Sequence, residues 1–164
     1  MTTPQPTDTP QPSKGLNRSM TVLVLLLGGI LALIGSTQTW VTATGFEATH
    51  ITNVELSGQE ASPVITAMSL VTIAAGAALS IARNVGRWII GCVAILGALA
   101  IGTTTINIIF SPLNAAAQKI SESTGTTATT DVAGDIEVSL LPWLTVLGAV
   151  IVLAGGIIAL TYGY

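Results

Sequence analysis

The chain has 164 residues, of which 50% are hydrophobic and only 8% are charged, and its formal net charge is −3. An ordinary soluble domain has about 25% charged residues, and the hydrophobic residues here form long blocks rather than amphipathic patterns. This composition predicts an integral membrane protein. Because the chain has only five Lys and Arg residues, its composition also argues against nucleic-acid binding.

The first long apolar block covers residues 21–40 and contains no charged residue. About 20 helical residues, at ~1.5 Å per residue, match the hydrocarbon core of a bilayer, and Arg18 and Trp40 mark the two ends. The preceding residues 1–19 are rich in Thr, Pro and Gln, which predicts a disordered cytoplasmic tail. Lys14 and Arg18 before a Leu-rich run also resemble a signal peptide, but a Gly-interrupted run that ends in Trp40 favours a retained helix.

Residues 41–61 form a predicted outer loop with three acidic residues and no Lys or Arg. Apolar and polar residues alternate imperfectly between Phe46 and Leu56, which predicts a short strand. His50 is the single histidine of the chain. A solvated loop histidine is the simpler interpretation, and a metal site or a pH sensor is the alternative.

Ser62 and Pro63 predict a helix start, with Ser as the N-cap and Pro at the first helical position. The second predicted span covers residues 63–82 and the third covers residues 88–110. The short basic connection between them predicts that the two helices are antiparallel neighbours. Asn107 is the most polar side chain within a span, and we expect it to form an interhelical hydrogen bond or to be solvated at the interface.

Residues 111–141 form the second predicted outer loop. A Ser-Pro pair starts a short amphipathic helix from Pro112 to about Ser123, which we place on the bilayer surface or against the loops. The alternation from Asp135 to Leu140 predicts a strand that could pair with the first-loop strand in a two-stranded β-ribbon. The fourth predicted span covers residues 142–162.

The predicted fold is an all-α membrane protein, in which residues 20–164 form a four-transmembrane-helix bundle. If the four spans alternate, all basic residues except Lys119 fall on one side and seven of the eight acidic residues fall on the other, in the outer loops. The positive-inside rule then places both termini in the cytoplasm. We expect the protein to lie in the plasma membrane. The residues predicted at the membrane interfaces are Arg18, Trp40, Arg83, Arg87, Trp88, Trp143 and Tyr162.

Small residues at four-residue spacing allow helix backbones to approach closely in lipid, where Leu gains little from contacting Leu. Every predicted span contains such a stripe, although Gly and Ala are also simply common in membrane helices. The predicted packing residues are Gly28, Ala32 and Ser36; Ala74, Ala78 and Ala82; Ala94, Ala98 and Gly102; and Gly155, Ala159 and Gly163.

The predicted spans contain no Asp, Glu, Lys, Arg or His, the residues that usually build proton relays and substrate sites in membranes. One Cys and one His cannot form a protein-only zinc site, and we expect Cys92 to be a small apolar core residue. We therefore expect no enzymatic activity, no catalytic residue, no metal or other cofactor and no small-molecule substrate. The residues expected to contact partner proteins lie in the outer loops: Phe46, Glu47, Glu55, Glu60, Leu113 and Ile120.

Several short motifs carry a resemblance to a known family. They are Gln38 to Thr42 (QTWVT), Gly58 and Pro63 ahead of Ala67 to Val71 (AMSLV), the basic turn Arg83 to Arg87, and Pro142-Trp143-Leu144 at the start of the last span. Over about residues 20–162 the chain resembles the actinobacterial tryptophan-associated transmembrane protein family. The family name reflects gene neighbourhood and implies no activity and no functional residues.

The expected function is that of a non-enzymatic accessory subunit of a larger membrane complex. Some actinobacterial respiratory assemblies, which join a cytochrome bc-type complex to a cytochrome oxidase, contain small accessory membrane subunits without redox groups, and this chain is similar in kind. Its partners would be the lipid bilayer and other integral membrane proteins. The alternative is a small transporter or transport helper linked to tryptophan or aromatic metabolism.

Overall fold

The computed structural model describes residues 14–44, 53–112, 114, 117 and 135–161. The helices and strands within these residues are α1 (Lys14–Thr37), β1 (Thr39–Thr44), β2 (Asn53–Ser57), α2 (Gly58–Ala61), α3 (Pro63–Leu79), α4 (Asn84–Phe110), β3 (Asp135–Val138) and α5 (Pro142–Thr161). Three of the long helices contain segments that are long and apolar enough to cross a membrane: Arg18–Thr37, Val85–Phe110 and Pro142–Thr161. The remaining long helix, α3, is also apolar but has 17 residues.

The four long helices form a closed ring in which each helix packs against two neighbours. α1 packs against α3 and α5, and α4 packs against the same two helices. The short connection between α3 and α4 makes these two helices antiparallel neighbours, as the sequence predicts. We call the end of the bundle that carries the strands the sheet end, and the opposite end, with the α3–α4 connection, the turn end.

The buried apolar residues form two clusters, one toward each end of the bundle. The sheet-end cluster consists of Ala32, Trp40, Val41, Leu56, Ile65, Ile101, Ile108 and Ala149. The turn-end cluster consists of Leu25, Leu79, Ala94, Ala98, Val152 and Ala159. Side chains from the strands therefore contribute directly to the core at one end.

The strands form a three-stranded antiparallel sheet in the order β2-β1-β3. This differs from the predicted two-stranded ribbon, because a strand that was not predicted lies between the other two. The sequence assigned Thr39 and Trp40 to the first membrane span, whereas α1 ends at Thr37 and β1 begins at Thr39. A β-branched run such as Thr39 to Thr44 favours a strand once the helix has ended.

The predicted amphipathic helix of the second loop falls mostly outside the described residues. Pro112, Asn114 and Ala117 are described, and each is helical.

Candidate interaction surfaces

Trp40, which the sequence predicts at a membrane interface, is fully buried within the protein at the sheet end. Its indole Nε1 donates a 2.7 Å hydrogen bond to the backbone carbonyl of Gly35, near the end of α1. A Cβ at Gly58 would overlap the indole ring, so this glycine makes room for it. The indole is buried because the helix end supplies the acceptor that its N–H requires.

A β-bulge allows Trp40 and its neighbour Val41 to be buried together. The register places Thr39 opposite Ser57 and Val41 opposite Leu56, so Trp40 is the extra residue on β1. Consecutive residues of a regular strand point to opposite faces, and a bulge interrupts this alternation. The backbone carbonyl of Trp40 also accepts a 2.8 Å hydrogen bond from the amide of Ser139, which ties the residues after β3 to β1.

Glu60, a predicted partner contact, takes part in a capping box at the start of α2. Its carboxylate accepts hydrogen bonds from the amide and the hydroxyl of Ser57, each of 3.0 Å, and the Ser57 hydroxyl accepts from the Glu60 amide at 3.3 Å. Both residues thus stabilise this turn. Glu55 is exposed on β2.

Four apolar residues from the end of β3 to the start of α5 are exposed at the sheet end: Val138 (39%), Leu140 (83%), Leu141 (37%) and Trp143 (56%). We call them the sheet-end patch. Of these four, only Trp143 was predicted as an interface residue, and Leu140 was predicted to belong to a strand. Two consecutive leucines directly before Pro142-Trp143 were the available signal, because neighbouring residues of an extended chain point to opposite faces and a single core covers one of them.

Arg18 joins the start of α1 to the end of α3 at the turn end. Its guanidinium donates to the carbonyls of Leu79, through Nε at 3.3 Å and Nη2 at 3.0 Å, and through Nη2 to Ser80 at 2.7 Å and Ala82 at 3.0 Å. The last carbonyls of a helix have no amide donor within the helix, and a positive charge near them is stabilising. The basic residue that the sequence assigned to the interface therefore also caps a neighbouring helix.

Arg87 makes the equivalent contact between α4 and α5. Its Nε donates a 2.8 Å hydrogen bond to the carbonyl of Ala159 near the end of α5. Arg83 and Trp88 are exposed beside it, and Trp88 has an exposed fraction of 59%. Three arginines predicted at one interface thus lie at the same end of the bundle.

Glycines bring α5 very close to α1 and α4. A Cβ on Gly148 would lie 2.6 Å from the amide nitrogen of Ala32, and one on Gly28 would lie 2.8 Å from a methyl group of Val152. Between α4 and α5, a Cβ on Gly156 would lie 2.8 Å from the Ile95 side chain. At these glycines α5 therefore packs closely against both neighbouring helices.

Most of the predicted packing residues on α1, α4 and α5 are buried, but those on α3 are not. Seven of their residues are buried: Gly28, Ala32, Ser36, Ala94, Ala98, Gly155 and Ala159. On α3 the prediction was wrong, because Ala74 and Ala78 are exposed and Ala82 lies beyond the helix end. The buried face of α3 instead contains Ile65, Ser69, Thr72, Ala75, Gly76 and Leu79. Gly102 is half-buried, and a Cβ there would meet no atom within 4 Å.

Hydroxyl groups inside the bundle bond mostly to their own helices. Ser69 donates to the carbonyl of Ile65 at 2.8 Å, Thr72 to that of Ser69 at 2.8 Å, and Thr105 to that of Ile101 at 2.7 Å. Such local bonds satisfy a hydroxyl in an apolar environment without providing a site for a ligand.

An open cleft of about 480 Å³ lies at the sheet end, between the start of α3 and the end of α4. Its lining residues are Ala61, Ser62, Thr104, Asn107, Ile108, Ser111 and Asn114. Ser62 precedes α3 as predicted, but its side chain makes no capping hydrogen bond. Asn107, for which the sequence predicted an interhelical hydrogen bond or solvation at the interface, is exposed and lines this cleft.

Several predicted site residues lie outside the described residues: Phe46, Glu47, His50, Leu113, Ile120, Tyr162 and Gly163. Cys92, predicted to be buried, is exposed on α4. Its neighbours toward the bundle, Gly91 and Ala94, are the buried residues of that turn.

Long apolar helices in a closed ring, with large aliphatic side chains on the outside, define a multi-pass helical membrane protein. The sequence resemblance is confirmed by a family model that matches residues 22–164. The chain belongs to the tryptophan-associated transmembrane protein family. No curated protein matches it.

Proposed function

We propose that this chain is a non-enzymatic accessory subunit of a larger membrane complex. The observation that carries the proposal is the sheet-end patch, in which Leu140 and Trp143 expose 83% and 56% of their surface. Clustered exposed apolar residues contact either another protein or lipid, and we assign the sheet-end patch to a protein contact because it adjoins an ordered sheet. The respiratory cytochrome bc–cytochrome oxidase supercomplex is the assembly that we put forward first.

The interior of the bundle supports an interaction role over transport by a single copy. The backbones of α1 and α5 meet at Gly148 and Ala32, and the hydroxyls of Ser69, Thr72 and Thr105 bond to their own helices. A solute path needs a row of polar groups that are available to the solute.

We also propose that α3 is a fourth membrane span and that both termini are cytoplasmic, in the plasma membrane. The 17 residues of α3 give a length of about 26 Å, close to the ~30 Å hydrocarbon core. α3 lies in the same ring as the three longer helices, and Arg18, Arg83 and Arg87 share the turn end, which fits the positive-inside rule. A reporter fused after residue 164 that is active only in the cytoplasm tests the orientation; inactivity of a stable fusion would contradict it.

The accessory role is tested by purifying the tagged full-length chain in mild detergent. We expect a stoichiometric membrane-protein partner with the wild type and its loss in Leu140→Glu. Ile81→Glu is the matched control, because Ile81 is 85% exposed in a short connection at the opposite end and Leu140 is 83% exposed. A wild-type chain that runs alone would contradict the accessory role, and equal partner loss in both variants would contradict the sheet-end patch as the contact.

A transport helper linked to tryptophan or another aromatic metabolite is the second candidate, favoured by the polar cleft around Thr104 and Asn107 and by the description of the family. This function requires binding of the ligand by the purified chain. Calorimetry with tryptophan should show binding that Asn107→Leu removes and that Thr103→Val leaves unchanged. Thr103 is exposed on α4 outside the cleft lining, and absence of binding in the wild type would eliminate this candidate.

A further inference from the structure

A groove of about 300 Å³ lies between α1 and the end of α3 at the turn end. It is lined by Arg18, Ser19, Val22, Leu23, Leu26 and Ser80, and we call it the Arg18 groove. Polar side chains occupy one end and aliphatic side chains the other. A groove of this composition fits a molecule with a polar head and an apolar tail.

The guanidinium of Arg18 is both fixed in position and accessible. Its Nε and Nη2 donate to the carbonyls of Leu79, Ser80 and Ala82, and the residue is exposed. Among the described residues, none accepts a hydrogen bond from the third nitrogen, Nη1. The group keeps its full positive charge while three carbonyls hold it, so an anion can bind Nη1 without having to order a flexible side chain.

The apolar part of the groove continues along α1 in the direction of the membrane interior. Val22, Leu23 and Leu26 follow Arg18 within eight residues of α1, a rise of about 12 Å, and Leu23 is 53% exposed. Arg18 is the first residue of the apolar segment Arg18–Thr37. The cation is thus at the level of lipid headgroups when this segment spans the bilayer.

We propose that the Arg18 groove is a binding site for an anionic phospholipid. The lipid phosphate binds at Arg18 Nη1 beside the Ser19 hydroxyl, and one acyl chain lies along Val22, Leu23 and Leu26. A basic pocket between membrane helices on the cytoplasmic side is a known setting for acidic headgroups. The assignment is independent of the accessory role proposed above, because the groove lies at the opposite end from the sheet-end patch.

The test measures which lipids the full-length chain retains. The protein is reconstituted in nanodiscs of mixed phosphatidylglycerol and phosphatidylcholine, released, and analysed by native mass spectrometry. We expect the wild type to retain phosphatidylglycerol preferentially and Arg18→Gln to lower this retention roughly fivefold. Arg83→Gln is the matched control: Arg83 is an exposed arginine at the same end that does not line the groove, so retention should stay at the wild-type level.

Two further variants separate lipid binding from the capping of α3. Leu23→Trp fills the apolar part of the groove without changing any charge, and it should also lower phosphatidylglycerol retention. Arg18→Lys keeps the charge but lacks Nη1 and the planar fork that reaches several carbonyls, so its phosphatidylglycerol retention should lie between those of the wild type and Arg18→Gln, and its melting temperature should fall. Leu23→Trp and Arg18→Lys therefore still test the proposal if Arg18→Gln does not fold. Equal loss in Arg18→Gln and Arg83→Gln, or unchanged retention in Leu23→Trp, would overturn the proposal.

Discussion

The indole Nε1 of Trp40 donates a 2.7 Å hydrogen bond to the carbonyl of Gly35, five residues earlier in the chain. The two residues lie on either side of the end of α1, at the point where the helix gives way to β1. The bond uses a carbonyl at the helix end and buries the largest side chain of the sheet-end cluster. It thereby fixes the direction in which the sheet leaves the bundle.

Replacing Trp40 by Phe is expected to lower the free energy of unfolding by about 1–3 kcal/mol. The Gly35 carbonyl loses its 2.7 Å hydrogen bond from the indole and keeps a longer one, of 3.4 Å, from the Gln38 amide, and the smaller ring leaves a void. Unfolding is followed by far-UV circular dichroism in detergent micelles. Trp143→Phe is the control, since that indole is 56% exposed, and its effect should stay within about 0.5 kcal/mol. Equal effects at the two tryptophans would contradict the buried role of Trp40.

Alanine at Gly148 is expected to destabilise the bundle by about 1–3 kcal/mol, because the added methyl overlaps the backbone of α1. Its Cβ would lie 2.6 Å from the amide nitrogen of Ala32 and 2.8 Å from the carbonyl of Gly28. Alanine at Gly102 meets no atom within 4 Å, so it should be neutral or stabilising by up to ~1 kcal/mol through helix propensity. The melting temperature should therefore fall in Gly148→Ala, and it should stay the same or rise in Gly102→Ala.

Arg87→Gln is expected to lower stability by about 1–2 kcal/mol, because the guanidinium at the end of α5 donates to the Ala159 carbonyl. Arg83→Gln removes the same charge from an exposed position at the same end and should change stability by less than about 0.5 kcal/mol. Raising the salt concentration should weaken the Arg87 contribution only slightly, since the residue is half-buried. If both variants lost a comparable amount of stability, the loss would come from the change in overall charge and not from the capping of α5.

Glu60→Ala removes one half of the capping box with Ser57 and is expected to cost about 0.5–2 kcal/mol. Glu60→Gln should recover most of this loss, because an amide oxygen also accepts from the Ser57 amide. Glu55→Ala serves as the comparison: this glutamate is exposed on β2. Hydrogen exchange at Gly58 and Gln59 measures the opening of this turn, and unchanged protection in Glu60→Ala would refute the assigned role.

Most of the helical architecture could be predicted from the sequence, because uncharged apolar blocks of about 20 residues have few alternatives to membrane helices. The predicted spans 21–40, 88–110 and 142–162 each correspond to a long helix, within a few residues at the ends. The face on which each helix packs was harder to predict. α3 has small residues on more than one side, Ala74 and Ala78 on one and Ser69, Thr72 and Gly76 on another, so spacing alone does not decide which side is buried.

The sheet end shows where sequence reasoning was insufficient. Trp40 at the end of an apolar block matches the usual pattern of an interfacial aromatic residue, and only the fold reveals Gly58 beneath its ring. The bulge at Trp40 depends on pairing with β2, more than ten residues later in the chain. Likewise, the capping of α3 by Arg18 joins residues about sixty positions apart, a relationship that local patterns do not contain.

The sequence by itself determined that this chain is a membrane protein, which family it resembles, and roughly where its long helices begin and end. Those properties follow from composition and from local runs of residues, because a bilayer selects long uncharged segments. Only the tertiary structure decided that Trp40 is buried, that Arg18 and Arg87 cap neighbouring helices, and that Leu140 is left exposed. Each of these depends on which distant backbone group or side chain comes within contact distance, and that is set by how the helices and strands pack.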